Sequence, residues 1–278
     1  MKATINKIIP FSNVDGPGNR TAIFFQGCSF RCLYCHNPET IHRCNNCGEC
    51  VEHCPAQALS IVDGIVKWDK SKCVDCDTCI HVCKHFSSPK VEELEVDELI
   101  ERIKPMKSFI RGITVSGGEC MLQAKFLTEL FPKVKELGLT CLIDSNGSID
   151  FSKHPELLES CDGVMLDAKA YDNEFHQALC GRSNDRVLKN IEYLLSIDKL
   201  VEVRTVLLPN YLDENEETVT EISKMIQDKC LYKLQKYRPF GVKEAALDQM
   251  GRGIMDDTEC ERLKELAISL GAIHTTIR

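Results

Sequence analysis

The sequence predicts an α/β fold in which six βα units form a partial (β/α)6 barrel, interrupted after its first strand by a small cysteine-rich insertion. Three observations carry that prediction. From about residue 90 onward, short β-branched runs alternate with longer amphipathic stretches, the pattern of parallel strands joined by helical crossovers. Between about residues 40 and 88 the alternation stops, and Cys44, Cys47, Cys50 and Cys54 recur 29 residues later as Cys73, Cys76, Cys79 and Cys83, every spacing preserved. The third is the stretch "GCSFRCLYCHNP" (27–38), which sets Cys28, Cys32 and Cys35 directly behind an apolar run. The expected organisation is a barrel of residues 1–40 and 89–278 with an inserted domain at 41–88.

Taken in order, the expected strands are 21–27, 112–116, 139–145, 163–168, 200–208 and 230–237. Helical patterns fill the gaps at 96–109, 123–138, 151–160, 185–198, 213–229 and 257–271, with apolar residues at three- and four-residue steps, as at Leu188, Ile191, Leu194 and Leu195. Right-handed crossovers in series curl such a sheet, and six units stop short of the eight that close a TIM barrel. Ligands of these sheets sit beyond the C-terminal strand ends. Gly27-Cys28, Ser116-Gly117-Gly118-Glu119, Asp144-Ser145-Asn146-Gly147 and Asp167-Ala168-Lys169 all fall there, converging on one mouth.

Composition narrows the classes. Hydrophobic residues at 43% and charged residues at 27% describe a globular chain, and no apolar run approaches the ~18 residues of a membrane span. The first residues carry Lys2 and Lys7 but too short an apolar stretch before Pro10 for a secretory signal, so a cytoplasmic location is expected. Acidic residues outnumber basic ones by 42 to 34, which argues against a nucleic-acid partner; a mild negative charge also simply favours solubility. Seventeen cysteines in an unsecreted chain read as metal ligands sooner than disulfides, and eleven of them lie between Cys28 and Cys83. The remaining six, Cys120, Cys141, Cys161, Cys180, Cys230 and Cys260, read as small buried hydrophobes.

The repeated run is C-x2-C-x2-C-x3-C, the ligand spacing of bacterial two-cluster ferredoxins, whose last cysteine in each run serves the other cluster. That similarity implies one [4Fe–4S] cluster on Cys44, Cys47, Cys50 and Cys83 and another on Cys73, Cys76, Cys79 and Cys54. Zinc is the weaker alternative, because its sites usually pair two separated C-x2-C knuckles. Pro55 after Cys54 and Gly64 between two short strands extend the ferredoxin likeness, whereas Lys84 stands where the second run would carry proline.

The C-x3-C-x2-C loop leaves one iron of a four-iron cluster without a protein ligand, and an amine and a carboxylate can chelate an open iron. Its placement matters: it follows a strand at the barrel mouth, Tyr34 precedes the last cysteine, and "SGGE" follows the next strand. The combination resembles the radical S-adenosylmethionine (SAM) enzymes, and "VDGPGNRTAIFFQGCSFRCLYCHNPE" resembles the opening of their glycyl-radical-enzyme activase branch. "ITVSGGE", "LIDSNG", "VMLDAK", "VRTVLLPN" and "YRPFGV" follow in family order over nearly the whole chain, and "KIIPF" and "CDGVMLDAK" are most similar to the YjjW-type activases.

The resemblance implies a SAM-binding [4Fe–4S] cluster on Cys28, Cys32 and Cys35. It implies that Gly117, Gly118 and Glu119 hold the methionyl amine, and that Tyr34 and His36 face the adenine. Asp167 and Lys169, with Ala168 between them, engage the methionyl end, and Arg204 partners its carboxylate. Asp144, Ser145, Met165 and Asp167 match positions that hold a monovalent cation in some activases. Two departures stand out: Arg238 occupies the place of a histidine near adenine, and Cys120, read as a small buried residue, follows Glu119 where proline or alanine is usual. "DGPG" (15–18) and "DSNG" (144–147) taken alone are turns; with the family, the first contributes to a partner-docking face.

The implied activity is reductive cleavage of SAM to methionine and a 5′-deoxyadenosyl radical, which takes a hydrogen from a glycine of a partner glycyl radical enzyme. Flavodoxin or ferredoxin is the implied electron donor. Two other readings stay open: a radical SAM enzyme acting on a small molecule or peptide, and a plain electron-transfer protein. Auxiliary clusters of the peptide-modifying branch usually lie C-terminal to the barrel, and a plain carrier leaves "SGGE" and the three-cysteine loop unexplained.

Overall fold

The structure, a computed structural model, describes residues 1–278. The chain opens with the strands β1 (Lys2–Ser12) and β2 (Arg20–Phe25). The cysteine-rich segment follows, with α1 (Glu49–Glu52), β3 (Leu59–Val62), β4 (Ile65–Trp68) and α2 (Thr78–His81), and leads into β5 (Glu92–Glu95) and α3 (Val96–Ile103). Then come β6 (Gly112–Gly117), α4 (Ala124–Glu136), β7 (Thr140–Ser145), α5 (Pro155–Ser160), β8 (Gly163–Asp167), α6 (Asn173–Cys180) and α7 (Asp185–Ser196). The last third holds β9 (Leu200–Leu207), α8 (Leu212–Ile226), β10 (Leu231–Lys236), α9 (Glu244–Met250), α10 (Asp257–Ser269) and β11 (Thr275–Ile277).

Nine strands form one sheet in the order β11-β10-β9-β8-β7-β6-β2-β1-β5. The six expected strands, β2 and β6 to β10, are present, and each lies parallel to the next. Three strands were not anticipated. β1 runs antiparallel to β2, and β5 antiparallel to β1, as a cap on one side of the parallel array. Glu92, Glu93 and Glu95 mask β5 in the sequence, since glutamate is depleted in strands; on an edge, charge discourages pairing with another chain. β11 extends the other side, parallel to β10, and is too short to show a period.

The expected helices form, with shifted ends. α3 stops at Ile103, and a 3-10 turn continues over Lys104–Phe109, because Pro105 removes an amide from the helical ladder. α6 and α9 were not anticipated, although α6 carries both end signals: Asp172 accepts from the Phe175 amide, and Gly181 closes the helix at φ +74°. The helices bury one large apolar core against the sheet. No helix is long and apolar enough to cross a membrane.

The 41–88 segment leaves and rejoins the sheet at one place: the His42 N–H donates to the Phe86 carbonyl at 2.9 Å, and His42 bridges Ser87. Inside it, β3 and β4 form an antiparallel hairpin whose central residues, Asp63 and Gly64, both have positive φ, the Asp-Gly signature of a type I′ turn. The sequence repeat is also a backbone repeat. α1 and α2 are 29 residues apart, and positive φ recurs at the same offset in Asn46 and Asp75, Gly48 and Asp77, Gln57 and Phe86. Its apolar core is only Cys50, Leu59, Val66 and Cys79.

Candidate active site at the barrel mouth

The C-terminal ends of β2 and β6 to β10 open into a single cavity of about 380 Å³. Cys28, Cys32, Tyr34, Cys35 and His36 line it from the loop after β2, Gly117 and Gly118 after β6, Asp144 and Ser145 at the end of β7, Asp167 and Lys169 at β8, and Arg238 after β10. A flat sheet cannot bring its first and sixth parallel strands to one cavity, so the array is curled. It does not close, because β5 and β11 remain its edges.

The three-cysteine loop is held from two sides. The Gly27 and Cys28 amides donate to Thr40 and Ile41 carbonyls at 2.8 and 2.9 Å, while those of Arg31 and Leu33 donate to Cys180 and Leu179 at the end of α6, both at 2.9 Å. Buried Gln26 secures the return of the loop through its Nε2, on the Glu39 and His42 carbonyls at 2.7 and 2.6 Å. Burial pushes the Cys28 thiol up to about 12 and the Cys35 thiol to about 11, so as free thiols both stay protonated. Cationic irons reverse that preference, because metal binding displaces the proton. A cubane cluster takes each thiolate on a separate iron, and three cysteine sulfurs on one loop are a donor set of that chemistry. Asn146 Nδ2 lies 3.4 Å from Cys28 Sγ, a hydrogen bond of the kind that tunes cluster sulfurs.

Gly117 and Gly118 are glycines because of what lies against them. A Cβ on Gly117, at φ +115°, would stand 2.3 Å from the Phe25 nitrogen, and one on Gly118 would stand 2.2 Å from the Gly27 carbonyl oxygen. Their side-chain positions are filled by the root of the cysteine loop, and this close approach sets the two motifs against each other. Glu119 departs from its expected place. Its carboxylate is 1% exposed, outside the cavity lining, and accepts from the Met121 amide (3.0 Å), Ser145 Oγ (2.9 Å) and the Asn146 amide (2.8 Å). Burial raises it to about 7 despite those donors. It braces the β6 and β7 loops.

Arg204 also differs from expectation. Its guanidinium ion-pairs with Asp144 at 3.0 Å and with Glu202, and its Nη2 lies 3.1 Å from Met165 Sδ. Burial works against its charge, and Asp144, Glu202 and Asp167 more than restore it, so the group stays protonated. Lys233 completes the network on Glu202 at 2.6 Å. Arg204 therefore lies beneath the cavity and does not line it. It stands among Asp144, Met165 and Asp167, while Ser145, the fourth expected cation ligand, points to Glu119. A fixed guanidinium already supplies the positive charge there, and these residues do not fit a monovalent cation. The Ala168 side chain is buried, and its carbonyl accepts from Thr205 Oγ1 at 2.8 Å, so it holds β8 to β9 without lining the cavity.

Asp167 and Lys169 form an ion pair at 2.7 Å facing the cavity, and the Lys169 ammonium lies 5.5 Å from the Tyr34 ring centre. The buried Tyr34 hydroxyl has no partner, leaving a polar group for a ligand to satisfy. Across the mouth, His36 Nε2 meets the Arg238 carbonyl at 2.9 Å. Carboxylate, ammonium and guanidinium groups around an aromatic edge suit a zwitterionic ligand that carries a flat ring system.

In the insertion, a second, smaller cavity is lined by Cys54, Cys73, Cys76 and Cys79, so the last cysteine of one run stands with the first three of the other. The Ala58 amide donates to Cys54 Sγ at 3.2 Å and Thr78 Oγ1 lies 3.3 Å from Cys76 Sγ. Lys84, in proline's place, ion-pairs with Glu49 at 2.8 Å and ties the end of the second run to the helix of the first.

The family model of the radical SAM superfamily matches residues 22–222. A putative glycyl-radical enzyme activating enzyme of Haemophilus influenzae is 31% identical over 81% of this chain and 77% of its own length. The pyruvate formate-lyase-activating enzyme of Staphylococcus aureus is 31% identical over 87% and 84%. The chain belongs to the radical SAM superfamily, in its glycyl-radical-enzyme activase family. Solved structures agree at the level of fold: QueE from Escherichia coli superposes with a TM-score of 0.57 at 13% identity over 100% of this chain and 94% of its own. A domain of a pyruvate-formate lyase-activating enzyme from Bacteroides vulgatus gives 0.51 at 19% identity over 60% and 98%.

For a radical SAM activase, the structure adds site residues that the sequence did not single out. Asn146 lines the cavity as expected of the residues after β7, and its contact with Cys28 is what the sequence did not single out. Gln26, one residue past the end of β2, differs from the apolar residues before it only by being polar. Arg278 lines the cavity from the end of β11 and donates to the Val14 carbonyl at 3.1 Å, so the loop carrying "DGPG" touches the far end of the parallel array. No pattern in the sequence announces that contact.

Proposed function

We propose that this enzyme activates a partner glycyl radical enzyme by reductive cleavage of SAM, and that within its family it belongs with the YjjW-type activases, on the wording of "KIIPF" and "CDGVMLDAK". The observation that carries the reading is the shared cavity: Cys28, Cys32 and Cys35 border the same space as Gly117, Gly118, the Asp167–Lys169 pair and Tyr34. Cys28, Cys32 and Cys35 would hold a [4Fe–4S] cluster, which would supply the one electron needed to split SAM into methionine and a 5′-deoxyadenosyl radical. The radical takes a hydrogen atom from a glycine Cα, yielding 5′-deoxyadenosine and a glycyl radical. The protein's part is to bind, orient and exclude water. Lys169 faces the methionyl carboxylate, Asp167 and the backbone carbonyls after β6 face its amine, and Tyr34, His36 and Arg238 border the adenine. Glu119 and Arg204 act at one remove, holding the loops and the charge of Asp144. The glycine loop of the partner enters by the open side of the incomplete barrel, between its two edges.

The two four-cysteine sets hold auxiliary [4Fe–4S] clusters, and residues 41–88 are a ferredoxin-like inserted domain. Four buried apolar residues are too few to fold such a segment alone, and small domains of this size are usually held by metals or disulfides. An external flavodoxin or ferredoxin supplies the electron.

The test is anaerobic reconstitution with iron and sulfide, followed by reductant and SAM. We expect 5′-deoxyadenosine, and a glycyl-radical doublet on the cognate partner. Cys32→Ala should abolish the nucleoside while retaining iron in the insertion; cleavage that survives this change would overturn the assignment. Nucleoside without any glycyl radical would favour a different substrate.

A further inference from the structure

We propose that a third cavity, bordering the three-cysteine loop but separate from the SAM pocket, is where an acidic electron-transfer protein docks to reduce the cluster. This rests on the activase reading and adds to it the place and chemistry of the donor. The cavity, of about 560 Å³, lies in the seam between the cysteine loop, the two ends of the insertion and α9. Of the residues that line the SAM pocket, it shares only Cys32 and Cys35.

That geometry addresses a physical requirement. With SAM in its pocket, the reducing electron must reach the cluster by another route, and this cavity is a second approach to two of the three cysteines. Its charge identifies the visitor. Arg31, Arg43, Lys84 and Lys243 line it and no carboxylate does, in a chain whose net charge is −8. Lys84 is partnered by Glu49; Lys243 lies 4.8 Å from the Phe86 ring centre and 3.5 Å from the Cys83 carbonyl. A concave patch of one sign with apolar walls concentrates potential and steers an oppositely charged partner. Arg31, Arg43 and Lys84 are exposed at the rim on separate segments, as suits a protein surface; a small anion would call for converging buried donors. Between the cations, Leu33, Ile41 and Phe86 offer apolar area for the edge of a prosthetic group. The occupant is thus an acidic redox protein of the flavodoxin kind, bound weakly and in a salt-dependent way.

The test uses reconstituted enzyme, an acidic flavodoxin and, as a small cationic reductant, reduced methyl viologen. Arg43→Glu/Lys243→Glu should weaken flavodoxin binding, measured by fluorescence anisotropy, by about tenfold or more. Flavodoxin-driven cluster reduction should slow in parallel, while viologen-driven SAM cleavage and iron content stay as in the parent. Arg43→Gln, a milder change, should give a smaller loss, and affinity for the parent protein should fall as salt rises. Unchanged flavodoxin binding in the double variant, or salt-independent binding to the parent, overturns the proposal. So does displacement of flavodoxin by micromolar inorganic phosphate, which would mark a small-anion site. A parent enzyme that makes no nucleoside with viologen refutes the activase reading instead, and the anisotropy measurement still decides the docking site.

Discussion

Arg204 is a β9 residue whose position alone suggests a ligand for substrate carboxylate, yet its charge is committed to Asp144 and Glu202. Glu202 is buried and keeps Lys233, whereas Asp144, half-buried at the cavity, loses its ion-pair partner when the guanidinium is removed. Arg204→Met should therefore destabilise the protein by about 3 kcal/mol in anaerobic urea unfolding. It should also create a demand for a replacement cation. SAM affinity of the parent is expected to be the same in sodium, potassium or choline chloride, whereas the variant should bind SAM better in sodium or potassium than in choline. A parent that needs sodium or potassium would show that a metal ion, and not the guanidinium, balances Asp144. His176 offers a cleaner titration. It is wholly buried on α6, its Nδ1 meets the Arg182 carbonyl at 2.7 Å, and its Nε2 has no partner. Burial holds its pKa below the ordinary 6.5, so the fold keeps it neutral. The unfolded chain gains a proton below about pH 6.5 that the folded one refuses. Its contribution is full above that pH and is lost as pH falls, by at most about 1.4 kcal/mol per unit. His176→Phe should lose the hydrogen bond at every pH, and its stability deficit against the parent should shrink between pH 7.5 and 5.5. A constant deficit would mean the imidazole does not titrate there.

At the scale of elements, the site depends on how closely the end of β6 meets the loop after β2. Gly118→Ala would drive a Cβ against backbone at Gly27 and Thr40, which cannot swing aside as a side chain would. We expect a loss of about 1–3 kcal/mol and impaired cluster assembly, read as lower iron content and weaker absorbance near 400 nm after reconstitution. Gly253→Ala, with nothing within 4 Å, is the control and should leave both unchanged. The same elements show what the sequence could disclose. The parallel strands were legible because β-branched runs such as "GITVS" sit between amphipathic helices with an apolar face. β5 was hidden by its glutamates and β11 by its brevity, since propensity reports a residue's own preference and not the neighbour that pairs with it. Cysteine spacing located the loop, but spacing says nothing about direction. Glu119 and Arg204 are near the expected site and face away from it, a consequence of hydrogen bonds made across strands 26 or more residues apart. Arg278 reaches the cavity only through the curl of the whole sheet.

Over the whole molecule, the large helix-and-sheet core contrasts with an insertion that buries four apolar residues. The first can stand on hydrophobic burial; the second needs cross-links, and the cysteine sets supply them in crossed form if Cys54 serves the cluster of Cys73, Cys76 and Cys79. Crossing would have an energetic consequence: each cluster would tie one half of the duplication to the other, so that neither half could open without breaking iron–sulfur bonds. It also has a countable one. The reconstituted parent should hold about twelve irons per chain, four for each cluster. Cys54→Ala and Cys76→Ala should each lose about four, and the two together again about four, because both changes strike the same cluster. Cys54→Ala combined with Cys47→Ala should lose about eight, although those two cysteines belong to the same run. Iron and sulfide analysis, with the electron paramagnetic resonance signals of the reduced protein, distinguishes the pairs. The reverse result, four irons lost for Cys54 with Cys47 and eight for Cys54 with Cys76, would show that each run keeps its own cluster and that the cavity joining Cys54 to the second run has another purpose.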